Sequence, residues 1–302
     1  MKRLTAFLLL LVLLTGCTAP SAETQPGTTE STTVSLIADG ADTLTVHFVD
    51  VGQADCILLE CGNCFALVDG GNTDDGTMVT EYLESQGVEI LSLMVATHPH
   101  EDHMGGLATV LKNFPVNNVW CSEIPYTNSC VSAFTGTVKK QGKQIHYADV
   151  GDVFYLGGAN GATITVLGPV KSYEDVKNLS LVLMVEYGNT RFLLTGDMER
   201  DAEADLLDSG TDVKANVLKV GHHGSYTSTG YRFLREVAPT YGVISCGRNN
   251  EYGHPHDAPL SRLRDADVIL YRTDQMYTVT AVSDGETIEF YWENESILAP
   301  AA

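Results

Sequence analysis

Positive charge is what this 302-residue sequence has least of: 18 Lys and Arg stand against 39 Asp and Glu, a formal net charge of −21. A surface that acidic repels a phosphate backbone wherever no cation intervenes, which argues against a sequence-reading DNA binder with a basic groove. No fixed-period repeat is present, so the chain is not a solenoid. After the first 14 residues no apolar stretch of membrane-spanning length occurs either. A second CxxC is also missing: Cys61-Gly62-Asn63-Cys64 lacks the partner pair of a zinc ribbon. Its Gly-Asn centre, between the apolar runs ILLE and FALVD, predicts a two-residue hairpin turn, with the cysteines as thiols or a local bridge. What is there, 44% hydrophobic and 19% charged, suffices for a full core.

At the N-terminus Lys2 and Arg3 precede an apolar run from Leu4 to Leu14, followed by Thr15-Gly16-Cys17. This pattern reads as an export signal, and the run is shorter than the ~20 residues of a spanning helix. Leu14-Thr15-Gly16-Cys17 resembles the lipobox of bacterial lipoproteins. That implies removal of residues 1–16 and lipid on Cys17, anchoring the protein to the outer face of the cell membrane. Residues 17–42, rich in Ser, Thr, Pro, Gly and Ala, read as a flexible tether; residues 43–292 read as one folded domain and 293–302 as a tail.

From Leu44 onward short β-type runs alternate with turn residues: LTVHFVDV, CILLE, FALVDGG, then a helical MVTEYLESQG and the strand ILSLMVAT. In GGLATVLKNF the apolar residues Leu107, Val110, Leu111 and Phe114 recur at helical spacing and stop before Pro115. Strands follow at NNVWC, QIHYADV, ATITVLGP, LSLVLMVEYG and TRFLLTGD, then a helix at MERDAEADLLDSG, the strand of VLKVGHHGS and a helix at TGYRFLREVAP. YGVISCG, a helix around APLSRLRDA, and three last strands, VILYRT, YTVTAV and TIEFYW, complete the order. Two β-rich halves, each with helices, fit an α/β fold of two sheets packed face to face with helices outside.

Seven of the nine histidines fall in three clusters, His98/His100/His103, His222/His223 and His254/His256, while His47 and His146 stand alone as strand residues. The sharpest segment is Thr97-His98-Pro99-His100-Glu101-Asp102-His103, at the carboxyl end of an apolar strand. In extended backbone His98 and His100 project to one side and can grip one ion; Asp102 and His103, after the turn, can face a second. Imidazole with carboxylate suits Zn²⁺, Mn²⁺ or Fe²⁺. Asp50, Gln53 and Asp55 in DVGQAD read either as a strand-end turn or as the rim of a site. His254 and His256 sit in a loop stiffened by Pro255 and Pro259 and read as a phosphate contact or proton donor, with a structural loop or a further metal site as the alternatives.

HPHEDH resembles the HxHxDH signature of the metallo-β-lactamase superfamily, and the chain is more closely similar to the metallo-β-lactamase-like domain of the ComEC competence family. VHFVDVGQADCILLE, NLSLVLMVEYGNTRFLLTGD, LKVGHHGS and GRNNEYGHPH followed by YRTDQ carry that resemblance. It implies a four-layer αββα sandwich and two divalent metal ions, Zn²⁺ or Mn²⁺. The ligands it implies are His98, His100, Asp102, His103, Asp197 as the bridging carboxylate, and either His222 or His223. His223 is favoured, with His222 either supporting the ligands from behind or contacting substrate. Asp69 resembles the first-motif aspartate beside the metal loop. No histidine stands at the third-motif place, where Asn178, Leu179 and Ser180 fall, so one site is expected to be open.

The expected activity is metal-dependent hydrolysis of a phosphodiester, with extracellular DNA as the leading substrate and a link to competence or DNA uptake; Asp102, His222, His254 and His256 are the expected catalytic groups. Alternatives are a hydrolase of another exported substrate, such as a phosphocholine ester, a lactone or a small phosphodiester, and a non-catalytic DNA-binding lipoprotein. The membrane-channel segments of full competence proteins are absent, and nothing in the sequence points to a protein partner. In a bacterial host, Cys17→Ser protein should lose incorporation of labelled palmitate and leave the membrane fraction; a variant that stays acylated there removes the anchor.

Overall fold

The hairpin expected at Gly62-Asn63 forms. Both residues take the left-handed backbone, φ +55° and +59°, that a two-residue turn between twisted strands requires, and Cys61 faces Cys64 across it. The computed structural model describes residues 43–292; the expected signal segment, tether and tail lie outside the described residues.

In chain order the strands are β1 (Leu44–Phe48), β2 (Ile57–Cys61), β3 (Cys64–Val68), β4 (Leu91–Ala96), β5 (Val116–Cys121), β6 (Ile145–Tyr147), β7 (Val153–Leu156) and β8 (Ala162–Gly168). They continue with β9 (Val182–Tyr187), β10 (Thr190–Leu194), β11 (Val217–Lys219), β12 (Tyr241–Ile244), β13 (Ile269–Arg272), β14 (Val279–Ser283) and β15 (Ile288–Trp292). The helices are α1 (Gly76–Ser85), α2 (Glu101–Met104), α3 (Leu107–Asn113), α4 (Ser129–Lys140), α5 (Arg200–Asp208), α6 (Tyr231–Val237), α7 (Asp257–Asp265) and α8 (Thr273–Met276).

One sheet runs β15-β14-β1-β2-β3-β4-β5-β6 and the other β13-β12-β11-β10-β9-β8-β7. Inward residues of both sheets, among them Phe48, Leu59, Val95, Ile164, Phe192 and Val243, form the central core. Residues on the opposite faces pack under helices: Leu67 and Met94 with Leu83, Leu111 and Phe134 on one side, Leu193 and Leu218 with Leu206, Phe233 and Leu263 on the other. Each such side chain contributes about 1.5–3 kcal/mol by leaving water, so strands buried on both faces need near-continuous apolar sequence. The result is the four-layer αββα sandwich.

Strand direction positions the chemistry. β3, β4, β5 and β6 are parallel, as are β10, β11, β12 and β13. The turns that follow β4, β10 and β11 carry the His98–His103 loop, Asp197 and His222/His223. A backbone hydrogen bond from Leu181 to Thr97 ties the two sheets together there.

The structure departs from expectation at several points, the short helix α8 among them. Helix α4 was not anticipated, since SCVSAFTGTVKK is rich in residues that weaken helices. Tertiary packing decides it: Val131, Phe134 and Val138 bury one stripe, and the Asn128 side chain caps the start by accepting from Val131 N. Edge strand β7, Val-Phe-Tyr-Leu, was not anticipated either, although its Val, Phe and Tyr favour a strand. Pro259 lies not in the His254–His256 loop but at the third residue of α7, where its missing N–H costs no helical hydrogen bond.

The glycines after the metal loop are required by space: a Cβ on Gly106 would overlap the Gly70 carbonyl oxygen. Gly106→Ala is expected to cost about 3 kcal/mol and lower the thermal midpoint by roughly 5–10 °C in a calorimetric scan.

Candidate metal centre

Asp69 organises the floor of the site. It leaves β3 with φ +59° and is almost wholly buried. Its carboxylate accepts from Thr97 N (2.8 Å), Thr97 Oγ1 (2.7 Å) and Nδ1 of His103 (2.7 Å). With Nδ1 donating, the Nε2 lone pair of His103 faces inward, 3.2 Å from Asp197 Oδ1. The single turn of α2 places Asp102 beside it. Thr97 spends its proton on Asp69, so its oxygen is free to accept from Nδ1 of His98, 3.2 Å away. Nε2 of His98 then lies 3.7 Å from Asp197 Oδ2.

Asp197 reaches this point because Gly196, at φ +50°, presses against Ser180 and Thr97. Ser180 Oγ accepts from Asp197 N (3.0 Å) and lies 3.3 Å from Nδ1 of His98. The third-motif place therefore holds a hydroxyl that braces two site residues. Asn178 does a similar job further out, accepting from Glu199 N (2.9 Å).

His222 and His223 both adopt left-handed backbone, φ 48° and 53°. Such conformations cost roughly 1–3 kcal/mol each for non-glycine residues and persist only where surroundings impose them. They turn both rings towards Asp197. Nδ1 of His223 lies 3.0 Å from the Ser245 carbonyl oxygen and 3.3 Å from Asp55 Oδ1, while Nε2 lies 3.3 Å from Asp102 Oδ2 and 3.6 Å from Asp197 Oδ1. His222 points Nε2 at the other oxygen, Asp197 Oδ2, at 3.6 Å; its Nδ1 lies 3.1 Å from Glu199 Oε1 and 3.2 Å from Thr227 Oγ1.

Two donor sets thus meet on one carboxylate. Asp102, His103, Asp197 and His223 form one, and His98, His100 and Asp197 the other, with the atoms of each set within 4.8 Å of one another. Nε2 of His98, Nε2 of His103 and Oδ1 of Asp197 are buried without a hydrogen-bond partner. Such groups cost about 1–3 kcal/mol each unless something satisfies them, and a divalent cation satisfies all three, so the residues fit the metal that the fold implies.

The electrostatics agree. Burial drives His98 well below its ordinary range and lowers His100, keeping both neutral as ligands must be. Against the opposing effect of burial, Asp197 and Asp55 raise His223 to about 10, while Asp197, Asp69 and Asp102 raise His103. Carboxylates that draw protons so strongly draw a divalent cation for the same reason, the ion displacing those protons.

The remaining expected residues form the rim. Gly247 N donates to Gln53 Oε1 (3.0 Å), which fixes the amide so that Nε2 donates to Nδ1 of His254 (3.1 Å). The His254 ring stacks between Tyr252 and His223, and burial lowers it to about 4. His256 stands one ring further out, its Nδ1 accepting from Tyr226 N (3.1 Å). Asp50 accepts from Gly52 N (3.1 Å), and its own N–H donates to Thr278 Oγ1. His47 is buried against Tyr82, and His146 pairs with Asp152 at the surface; both lie on strands, outside the cluster.

Sequence reasoning missed Glu199 and Lys219 and gave Asp55 only a rim or turn role. Lys219 carried a usable signal, since a charged residue inside the apolar strand VLKV needs a buried partner.

The metallo-β-lactamase superfamily model matches residues 49–248, and the chain belongs to that superfamily. Among curated proteins it is 31% identical over 198 residues to ComE operon protein 3 of Bacillus subtilis, covering 66% of this chain and 25% of that protein. It is 30% identical to Competence protein ComA of Neisseria gonorrhoeae, covering 74% of this chain and 30% of that one. The chain therefore spans less than a third of the length of these relatives. Among solved structures, CmlA, a diiron β-hydroxylase from Streptomyces venezuelae, superposes with a TM-score of 0.52 at 14% identity, over 80% of this chain and 54% of that one, a likeness of fold alone.

Asp197→Asn keeps the shape of the side chain but removes the charge facing both donor sets. Metal analysis after gel filtration should find at least one fewer ion per folded chain than in the wild type.

Proposed function

We propose that this protein is an extracytoplasmic phosphodiesterase acting on nucleic acid, anchored through lipid on Cys17 and serving competence or DNA uptake. The observation that carries the reading is the single buried carboxylate of Asp197, whose two oxygens face two separate imidazole sets. The names of the relatives supply the link to competence.

His98, His100 and Asp197 would hold one ion, and Asp102, His103, Asp197 and His223 the other. Two divalent ions, Zn²⁺ or Mn²⁺, would there supply an activated water as nucleophile near neutral pH and positive charge for the phosphoryl oxygens. The chain's own groups do the rest. Glu199 Oε1 and Thr227 Oγ1 stand behind Nδ1 of His222, at 3.1 and 3.2 Å, and hold the ring with Nε2 towards Asp197, in place to contact the leaving oxygen. Gln53 engages Nδ1 of His254, which leaves the Nε2–H of that ring to donate. His256 keeps its ring against His254 and extends the polar rim.

An acidic protein cannot hold a polyanion by a basic groove. Metals answer for the phosphates, and exposed aromatics can answer for the bases. Tyr226 and Tyr252 are 57% and 62% exposed, beside His256 and His254 respectively. Stacking on such rings is worth about 1–3 kcal/mol per base and tolerates any sequence.

The test is cleavage of labelled single- and double-stranded DNA beside bis-p-nitrophenyl phosphate, by metal-stripped protein resupplied with Mn²⁺ or Zn²⁺. DNA cleavage is expected with either metal and is abolished in folded Asp197→Ala. Tyr226→Ala and Tyr252→Ala should each raise KM for an oligonucleotide about 10-fold, in line with a stacking contribution of that size. Turnover of the small diester alone would assign another exported substrate. Salt-sensitive DNA binding without metal-dependent cleavage would assign a binding module.

A further inference from the structure

Lys219 is a lysine with no access to solvent at all. It ends β11, two residues after Val217 of the central core, so its side chain enters the space between the sheets. There Nζ meets Asp55 Oδ2 at 2.9 Å and donates to the Val220 carbonyl oxygen at 3.1 Å. Asp55, equally buried, belongs to the loop between β1 and β2 of the other sheet. Its N–H donates to the Asp102 carbonyl oxygen (3.0 Å), and its own carbonyl accepts from Gly71 N (2.9 Å). Its second carboxylate oxygen, Oδ1, has no hydrogen-bond partner among the described residues; it stands 3.3 Å from Nδ1 of His223 as a charge contact, while that nitrogen's hydrogen bond goes to the Ser245 carbonyl oxygen at 3.0 Å.

A buried ion pair is poor value for stability alone. Stripping water from both charges costs several kcal/mol per ion, and well-packed apolar residues of similar size often serve as well or better. The contacts here run instead to three parts of the candidate metal centre: the Asp102 backbone, the turn after Asp69, and the back of the His223 ring. An acceptor behind a ligating imidazole fixes the ring orientation and strengthens the opposite nitrogen as a donor.

We infer that Lys219 is a positioning residue for the metal centre: it clamps the Asp55 carboxylate by one oxygen so that the other stands as a fixed negative charge beside Nδ1 of His223, reinforcing the Ser245 carbonyl that accepts from it and keeping Nε2 towards Asp102 and Asp197. The inference rests on the metal-centre reading and deepens it. It also links two segments that the sequence presents far apart, DVGQAD and LKVGHHGS, as the two ends of one strut between the sheets.

The consequence is selective. Losing the strut loosens the Asp102–His103–Asp197–His223 set, while His98 and His100, which touch neither Asp55 nor Lys219 by any hydrogen bond or ion pair among the described residues, keep their supports.

The test is titration of metal-free full-length protein with Co²⁺, followed by visible absorption and by competition with a chelator. Wild type should bind two ions. Asp55→Asn, and the double variant Asp55→Asn/Lys219→Met, which leaves no unpaired buried charge, should bind one of the two 10- to 100-fold more weakly, the scale of such supporting contacts, with the other unchanged. Lys219→Met alone should show the same selective loss if it folds.

Two ions bound as tightly as in the wild type by a folded variant would overturn the inference. So would equal weakening of both, or failure of both Asp55→Asn and the double variant to fold, since either marks a role in the fold at large. A wild-type protein that binds no Co²⁺ would instead sink the metal-centre reading beneath it. Two ions bound without any DNA cleavage would separate the strut from the proposed substrate.

Discussion

Everything at this site turns on a carboxylate taken out of water and left with imidazoles as its nearest company. Asp197 is held by its own backbone to Ser180, presents one oxygen to His103 and His223, and presents the other to His98 and His222. Four turns from two sheets must arrive together for that geometry to exist. The price in free energy is visible in the orphaned nitrogens and in two consecutive left-handed histidines. Structures retain such costs where a bound group returns them.

The supports around the cluster share one logic. Four of the rings are backed by oxygens: Asp69 behind His103, Thr97 and Ser180 behind His98, the Ser245 carbonyl with the Asp55 carboxylate beside it behind His223, and Glu199 behind His222. The orienting groups come from turns on rigid strands, which is how loops at a sheet edge attain the precision a metal centre needs. Lys219 extends this pattern one layer deeper. It also eases a charge problem, since Asp55 and Asp69 lie close together and Lys219 sets a permanent positive charge 2.9 Å from Asp55.

The acidic surface and the buried site are complementary features. A chain with a net charge of −21 offers little electrostatic attraction to a polyanion at long range. The proposed recognition is accordingly short-range, and the geometry it relies on is continuous: Tyr252 stacks on His254, which stacks on His223. The rim and the centre form one continuous run of aromatic and imidazole surface.

Much of this was legible in the chain. The spacing in HPHEDH dictated a loop that presents donors on one side, because residues two apart in extended backbone share a face. Apolar runs such as LSLMVA and VLMVEY dictated strands buried on both faces, and Gly-Asn between two cysteines dictated a hairpin. Helix α4 was hidden because its residues are weak helix formers and only the contacts of Val131, Phe134 and Val138 make it one. Which histidine of the His222/His223 pair joins Asp102 and His103, that a serine stands behind His98, and that Lys219 reaches across to Asp55 were decided by the tertiary structure alone. Local pattern fixes periodicity and donor type, which depend on neighbours in sequence; the meeting of one side chain with another 164 residues away depends on how two sheets pack, and no short-range signal encodes that distance.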